Sequence, residues 1–225
     1  MTDILANIAT CIERGKVNRA ANYPPDLKGT DGVDELTKSA IDSGISAQAI
    51  LQEGLIEGMG RVGKKYSEGK AFVPDLLLAA KAMKAAMAHL KPFFDSGQAH
   101  HRGTFVIGTV SGDLHDIGKN LVAMMLEGGG YKVVDLGVDV PAEKFVDAIR
   151  QNPDCVVGLS ALLTTTMVNM EGIVKSIHEA APQTKVLVGG APVTAAYAAK
   201  INADAYAPDP QSALRYLAEL IPQGV

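Results

Sequence analysis

The sequence is poor in cysteine. Cys11 and Cys155 are its only two thiols in 225 residues, they lie far apart, and they form no CxxC pair. They read as reduced cysteines of a cytoplasmic protein rather than as a disulfide framework, and a structural zinc site, which needs four suitably spaced ligands, has no candidate. No apolar run approaches the ~18 residues that a membrane span requires. The opening stretch MTDILANIATCIERGK lacks a basic segment followed by an apolar one, so no secretory signal is expected. Positive charge is also in short supply: 21 Lys and Arg against 25 Asp and Glu leave a net charge of −4. Nucleic-acid binders usually need a basic face to neutralise phosphates, so neither nucleic acid nor membrane is expected as a partner. Apolar residues, in contrast, make up 47% of the chain and charged residues 20%, which suits a folded protein with a buried core.

The two halves of the chain have different patterning. Residues 1–94 read as helical. In AQAILQEGLIEGMGRVGKKY (47–66), Ile50, Leu51, Leu55, Ile56, Met59 and Val62 recur at three- and four-residue spacings, which is one face of an amphipathic helix. A further helix starts near Pro74, a residue suited to a first turn, and runs through DLLLAAKAMKAAMAHL with Leu77, Ala80, Met83, Met87 and Leu90 as its expected buried stripe. Helices are also expected at 3–14 and 33–43, separated by the break YPPDLKGTDG (23–32), giving an N-terminal four-helix bundle.

SGQAHHRG (96–103) is small, polar and glycine-containing, and reads as a linker. The expected division is therefore a helical domain at 1–94, a linker at 95–103 and a second domain at 104–225. There, TFVIGTV (104–110), YKVVDLGV (131–138), DCVVGLSA (154–161), TKVLVGG (184–190) and ADAYAP (203–208) are short apolar runs, each followed by enough chain for a helix. Continuous apolar runs suit strands buried on both faces, and regular alternation with helices implies a parallel sheet. The expectation is an α/β domain with a doubly wound, five-stranded parallel sheet of flavodoxin-like kind. Ligands in such sheets bind beyond the carboxyl ends of the strands, here the loops at 111–118, 138–141, 160–166, 189–193 and 207–211.

The first of these loops reads SGDLHDIGKN (111–120). It is not a phosphate loop: five residues rather than four separate Gly112 from Gly118, Asn120 stands where a hydroxyl is needed, and two carboxylates would repel phosphate. A phosphorylated receiver domain is also excluded, because the third strand ends in LSALLTTT with hydroxyls and no carboxylate. Two readings of Asp113, His115 and Asp116 stay open on the residues alone. One is a metal-type site in which an imidazole ligates through one nitrogen while a carboxylate orients the other. The second is an Asp–His pair that caps the helix beginning at 116.

Three further elements carry a family resemblance. DLHDIG (113–118) matches the DxHxxG signature of corrinoid-binding domains, SAL (160–162) matches their SxL element about 45 residues later, and GG (189–190) follows in the third expected place. The strings DLHDIGKN, VVDLGVDVPAEKF and GLSALLTTTM resemble the cobalamin domain of methionine synthase, and still more the small corrinoid proteins of anaerobic methyltransferase systems. EGLIEGMGRVGKKYSEGKAFVPDLLLAAKAM (53–83) is similar to the helical cap of that family. The resemblance covers nearly the whole chain after about the first 30 residues.

What the resemblance implies is specific. Cobalamin or a related corrinoid, carried as a methylcobamide, would bind base-off, with His115 replacing the cofactor's own base as axial ligand to cobalt. Asp113 would hydrogen-bond the other nitrogen of His115, and Thr166 stands where methionine synthase has the serine that completes this relay. Gly112, Leu114, Asp116, Ile117 and Gly118 belong to the same loop. Ser160, Leu162 and Thr164 match residues around the displaced base, and Gly189 and Gly190 would leave room for the nucleotide tail. Met59, Val62, Phe72 and Leu76 of the cap would face the upper side of the corrin. The implied role is a methyl carrier that is not a complete enzyme. A substrate-specific methyltransferase would load Co(I) from methanol, a methylamine, a betaine or a methoxyarene. An acceptor methyltransferase would unload it to tetrahydrofolate or coenzyme M, and a reductive activator would restore Co(I). The alternative is a cobalamin-dependent sensor, which usually carries a DNA-binding helix-turn-helix for which the first 30 residues leave little room.

Overall fold

The computed structural model describes residues 4–221. The chain divides into two compact units, residues 1–101 with 128–130, and residues 102–127 with 131–225.

The first unit is helical: α1 (Ile4–Glu13), a short 3₁₀ turn (Pro25–Leu27), α2 (Val33–Asp42), α3 (Ala47–Ala49), a π-helical stretch (Ile50–Ile56), α4 (Glu57–Ser67) and α5 (Val73–Asp95). Position 3 of the first expected helix lies outside the described residues. Ser46 caps α3 by accepting the Ala49 N–H at 3.2 Å, and Asp75 fixes the start of α5 by accepting the Phe72 N–H at 2.8 Å. Two expectations are corrected here. The helix predicted over 47–66 is not uniform, because its π-helical turns are wider than α-helical ones. The wider turn carries Ile50 and Leu55, five residues apart, onto one buried face with Leu51. In α5 the buried stripe is Leu76, Ala79, Ala82, Met83, Ala86 and Leu90. Leu77 is 46% exposed, and Ala80 and Met87 are only half-buried. A helix that is alanine- and leucine-rich on almost every side gives little periodic signal with which to choose between neighbouring stripes.

The second unit alternates strands and helices: β1 (Thr104–Thr109), α6 (Ile117–Gly128), β2 (Lys132–Asp135), α7 (Ala142–Gln151), β3 (Val156–Ser160), α8 (Thr164–Met167), α9 (Asn169–Ala180), β4 (Val186–Gly189), α10 (Ala195–Lys200), β5 (Ala205–Ala207) and α11 (Pro210–Leu220). All pairings are parallel, in the order β2-β1-β3-β4-β5. This is the doubly wound sheet that the apolar runs imply. Alternate residues serve opposite faces. Val106, Val157, Leu159, Val186 and Val188 pack with Phe145 of α7 and the inner side of α9. Phe105, Ile107, Val156 and Leu187 pack on the other face with Leu126 of α6 and Ala213 and Leu217 of α11. Because the strands are parallel and short, their carboxyl ends open into one row of loops. No helix among the described residues is long and apolar enough to cross a membrane.

Candidate functional site

His115 sits in the loop between β1 and α6, and its neighbours explain its placement. The Thr109 hydroxyl, fully buried at the end of β1, donates to the His115 carbonyl at 2.8 Å. Asp113 has no exposed surface, and its Oδ1 accepts both the His115 backbone N–H at 3.1 Å and the His115 ring at Nδ1, 2.7 Å away. A carboxylate only accepts, so the proton lies on Nδ1 and the lone pair on Nε2. Nε2 has no protein partner among the described residues, and the imidazole is about half exposed.

The second oxygen of Asp113 is equally engaged. Oδ2 accepts the Leu162 N–H at 2.8 Å and the Thr166 hydroxyl at 2.6 Å, from the start of the segment after β3. The Leu163 carbonyl is also 3.1 Å from that hydroxyl, but one proton serves one short bond, and the charged acceptor is nearer. The methyl of Thr166 lies toward Gly112, where a Cβ would stand 3.7 Å from it. Burial disfavours the charged form of Asp113. The donors from Thr166, Leu162 and His115 outweigh that and hold its carboxyl well below the usual carboxylate range. None of the hydrogen bonds Asp113 accepts comes from α6, so the helix-capping reading does not describe it.

The remaining predicted residues fall into distinct places. Gly112 donates its N–H to Asp139 Oδ1 at 2.7 Å. Asp116 is exposed and accepts from the Asn120 side chain at 3.1 Å. Leu114, Ile117 and Leu162 are exposed apolar side chains. Gly118, Ser160, Gly189 and Gly190 line a cavity of about 350 Å³ between the sheet and helices α6 and α11. Thr164 is exposed and does not line it. The two glycines have a reason of their own. A Cβ on Gly190, whose φ is +126°, would overlap the Ala161 carbonyl oxygen, and one on Gly189 would stand 2.9 Å from that of Ala207. Neighbouring backbone therefore demands glycine there. In the helical unit Met59, Val62 and Leu76 are buried and Phe72 is 68% exposed.

Sequence reasoning overlooked several contributors. Asp139, at φ +54°, ties two loops together: its Oδ1 takes the Gly112 N–H, and its own N–H reaches the Asp113 carbonyl at 3.0 Å. Asn169 of α9 donates to the Ser111 carbonyl at 2.8 Å. Lys119 is buried and pairs with Asp135 while donating to Asn120 at 2.7 Å. Val138, Leu163 and Val168 extend the exposed apolar set of Leu114, Ile117 and Leu162. The usable signal was Asp139's position in one of the strand-end loops, and Leu163 and Val168 as apolar residues where such loops are normally polar.

The donor set limits what metal fits. Among the described residues no group of three or more His, Cys, Asp or Glu could hold an ion. A single outward imidazole suits a metal whose equatorial ligands arrive with a macrocycle. A flat apolar ring would cover the exposed leucines, isoleucine and valines.

Comparison with known proteins agrees with this geometry. Two family profiles described as B12 binding domain match residues 103–215 and 30–91. Trimethylamine corrinoid protein 1 of Methanosarcina acetivorans is 43% identical over 176 residues, covering 76% of this chain and 82% of its own. A corrinoid protein of Desulfitobacterium hafniense strain Y51 is 40% identical over 182 residues, covering 79% and 84%. The fold matches a chain of the methanol:cobalamin methyltransferase complex of Methanosarcina barkeri with a TM-score of 0.83 and 28% identity, over 100% of this chain and 81% of that one. The chain belongs to the B12-binding corrinoid proteins of methyltransferase systems, and its cofactor is cobalamin or a related corrinoid.

Proposed function

We propose that this chain is a methyl carrier, holding its corrinoid base-off with His115 Nε2 as the lower ligand to cobalt. One observation carries the proposal. Asp113 is buried, with both oxygens occupied, and it fixes His115 by Nδ1 so that Nε2 points its lone pair away from the protein. When bound, the corrinoid supplies a cobalt centre that takes a methyl group from one molecule and yields it to another.

The chain's residues do the rest. Asp113 keeps the ring in the tautomer that ligates. Thr166 and the Leu162 N–H keep the Asp113 carboxylate in place beneath the ring. Ser160, Gly189 and Gly190 border the cavity that would receive the displaced nucleotide base. The exposed side chains of Leu114, Ile117, Leu162, Leu163 and Val168 would exclude water from a bound macrocycle. A substrate-specific methyltransferase loads the carrier, a second enzyme unloads it to tetrahydrofolate or coenzyme M, and a reductive activator restores it. Methylamines are the donor class we favour, because proteins named for trimethylamine and dimethylamine stand at 43% and 40% identity.

The test is to reconstitute the full chain with cobalamin and record EPR of the Co(II) form with ¹⁵N-labelled histidine. Labelling should change the nitrogen splitting, and His115→Ala should abolish that change and weaken binding. A splitting indifferent to the label removes His115 as ligand. Methyl transfer with partner enzymes across methylamines, methanol, betaine and methoxyarenes then identifies the donor.

A further inference from the structure

We propose that the cavity lined by Gly118, Ser160 and Gly189 discriminates between lower bases, taking a methylated benzimidazole in preference to a purine such as adenine. This rests on the reading above, in which the displaced base enters that cavity. The cavity is polar at its mouth and apolar at its inner end. Its floor is the sheet. Ile107, Gly158 and Leu187 stand side by side across β1, β3 and β4, and Phe105 lies two residues further in. Ser160 and Gly189 form the next row toward the carboxyl ends. The backbone groups of these strands are paired in the parallel ladders, so the floor offers a base no free donor or acceptor. Val122 of α6 and Ala213 of α11 supply the walls.

The polar side chains that line the cavity are engaged elsewhere or stand at the entrance, and Tyr206 packs its ring against the core on the opposite face of the sheet. Lys119 contributes its stem, while its ammonium turns to Asp135 and Asn120, neither of which lines the cavity. Asp209, after β5, accepts the Ser212 N–H at 2.7 Å to cap α11. Ser160 lies at the end of β3. Tyr131 Oη and Gln211 Oε1 are buried without a partner among the described residues, but neither residue lines the cavity. A base entering from the mouth thus sets its far edge against Phe105, Ile107 and Leu187. Ring methyls there gain apolar contact. Ring nitrogens or an exocyclic amine there lose water and find nothing in exchange. The resulting preference should be about tenfold to a hundredfold in affinity.

The experiment titrates the full-length protein with three cobamides differing only in lower base, 5,6-dimethylbenzimidazole, benzimidazole and adenine, with cobinamide as the form that lacks a base. Each dissociation constant is corrected for that cobamide's own base-off equilibrium without protein, since a weakly coordinating base leaves cobalt more readily. The dimethylbenzimidazole form should bind at least tenfold more tightly than the adenine form, with benzimidazole between them. All three should show EPR splitting that responds to ¹⁵N-histidine. Val122→Thr, which adds one hydroxyl to the wall at similar volume, should shrink the ratio by threefold or more. Equal or tighter binding of the adenine form with histidine coordination intact overturns the selectivity and leaves the base-off reading standing, as does a ratio unmoved by Val122→Thr. Failure of every cobamide to show histidine nitrogen overturns the underlying reading, and the selectivity with it.

Discussion

The molecule contains a histidine–aspartate pair of the same length in each of its two units, and the contrast between them shows what makes one a ligand. In the helical unit His89 Nε2 lies 2.7 Å from Asp34 Oδ1, and in the sheet unit His115 Nδ1 lies 2.7 Å from Asp113 Oδ1. Asp34 is 44% exposed and His89 30%, whereas Asp113 is 0% exposed and His115 51%. In the first pair the carboxylate is the outer member and the ring the inner one. In the second the order is reversed, and the carboxylate is held by four further protein donors, the N–H groups of His115, Leu162 and Leu163 and the Thr166 hydroxyl. A hydrated carboxylate orients a ring weakly. A buried one whose lone pairs are occupied is a fixed acceptor, and it presents the opposite nitrogen to the outside.

Asp113→Ala should cost the most. It strands the buried donors of Leu162 and Thr166 and frees the ring, which amounts to roughly 3 kcal/mol of stability. Urea unfolding near neutral pH checks this, and a loss below about 1 kcal/mol would mean the site has no buried anchor. A somewhat smaller effect is expected from Asp113→Asn, and it depends on pH. The folded-state pKa of Asp113 lies below its ordinary 3.8, so the unfolded chain takes up the proton first. Its contribution is present above about pH 4 and fades as pH falls below that value. The wild type should therefore lose stability more steeply than Asp113→Asn between about pH 4 and 2, and parallel acid titrations would refute this.

The same contrast explains how far the residues could be read before the fold was known. The sheet was legible because strands such as TFVIGTV and CVVGLS are apolar on both faces and evenly spaced by helical segments. His115, Asp113 and Thr166 were legible because they fall at strand ends within a family signature. What escaped notice depends on the folded chain. Asp139 matters only once β2 lies beside β1 and brings its loop against Gly112. The Lys119–Asp135 pair needs α6 laid over the same strand. In α5 an excess of apolar residues hid which of Leu76 and Leu77 faces inward. The π-helical stretch escaped because a period of 3.6 cannot register an added residue per turn.

Thr166→Val comes next in size. It keeps the volume and removes the hydroxyl that reaches Asp113 at 2.6 Å, at an expected cost of about 1–2 kcal/mol. Thr166→Ser should restore most of that loss, since it keeps the hydroxyl that reaches Asp113. If serine behaves like valine, the hydroxyl is not what supports the carboxylate.

The smallest effect is expected where the pair is exposed. Asp34→Ala should change stability by less than about 1 kcal/mol, because a hydrogen bond to a part-exposed carboxylate is readily exchanged for one to water. Cys11 reports on the same unit. Its thiol is buried, and burial pushes its pKa up to about 11, so at pH 8 it reacts only when the unit opens. Cys155, raised to about 11 by the same cause, reports on the sheet unit. Alkylation followed by mass spectrometry should find Cys11 labelling within about twofold of wild type in Asp34→Ala, and Cys155 labelling clearly faster in Asp113→Ala. If Cys11 in Asp34→Ala accelerates as much as Cys155 does in Asp113→Ala, the exposed pair supports its unit as strongly as the buried one. Burial of the carboxylate would then not be what distinguishes them.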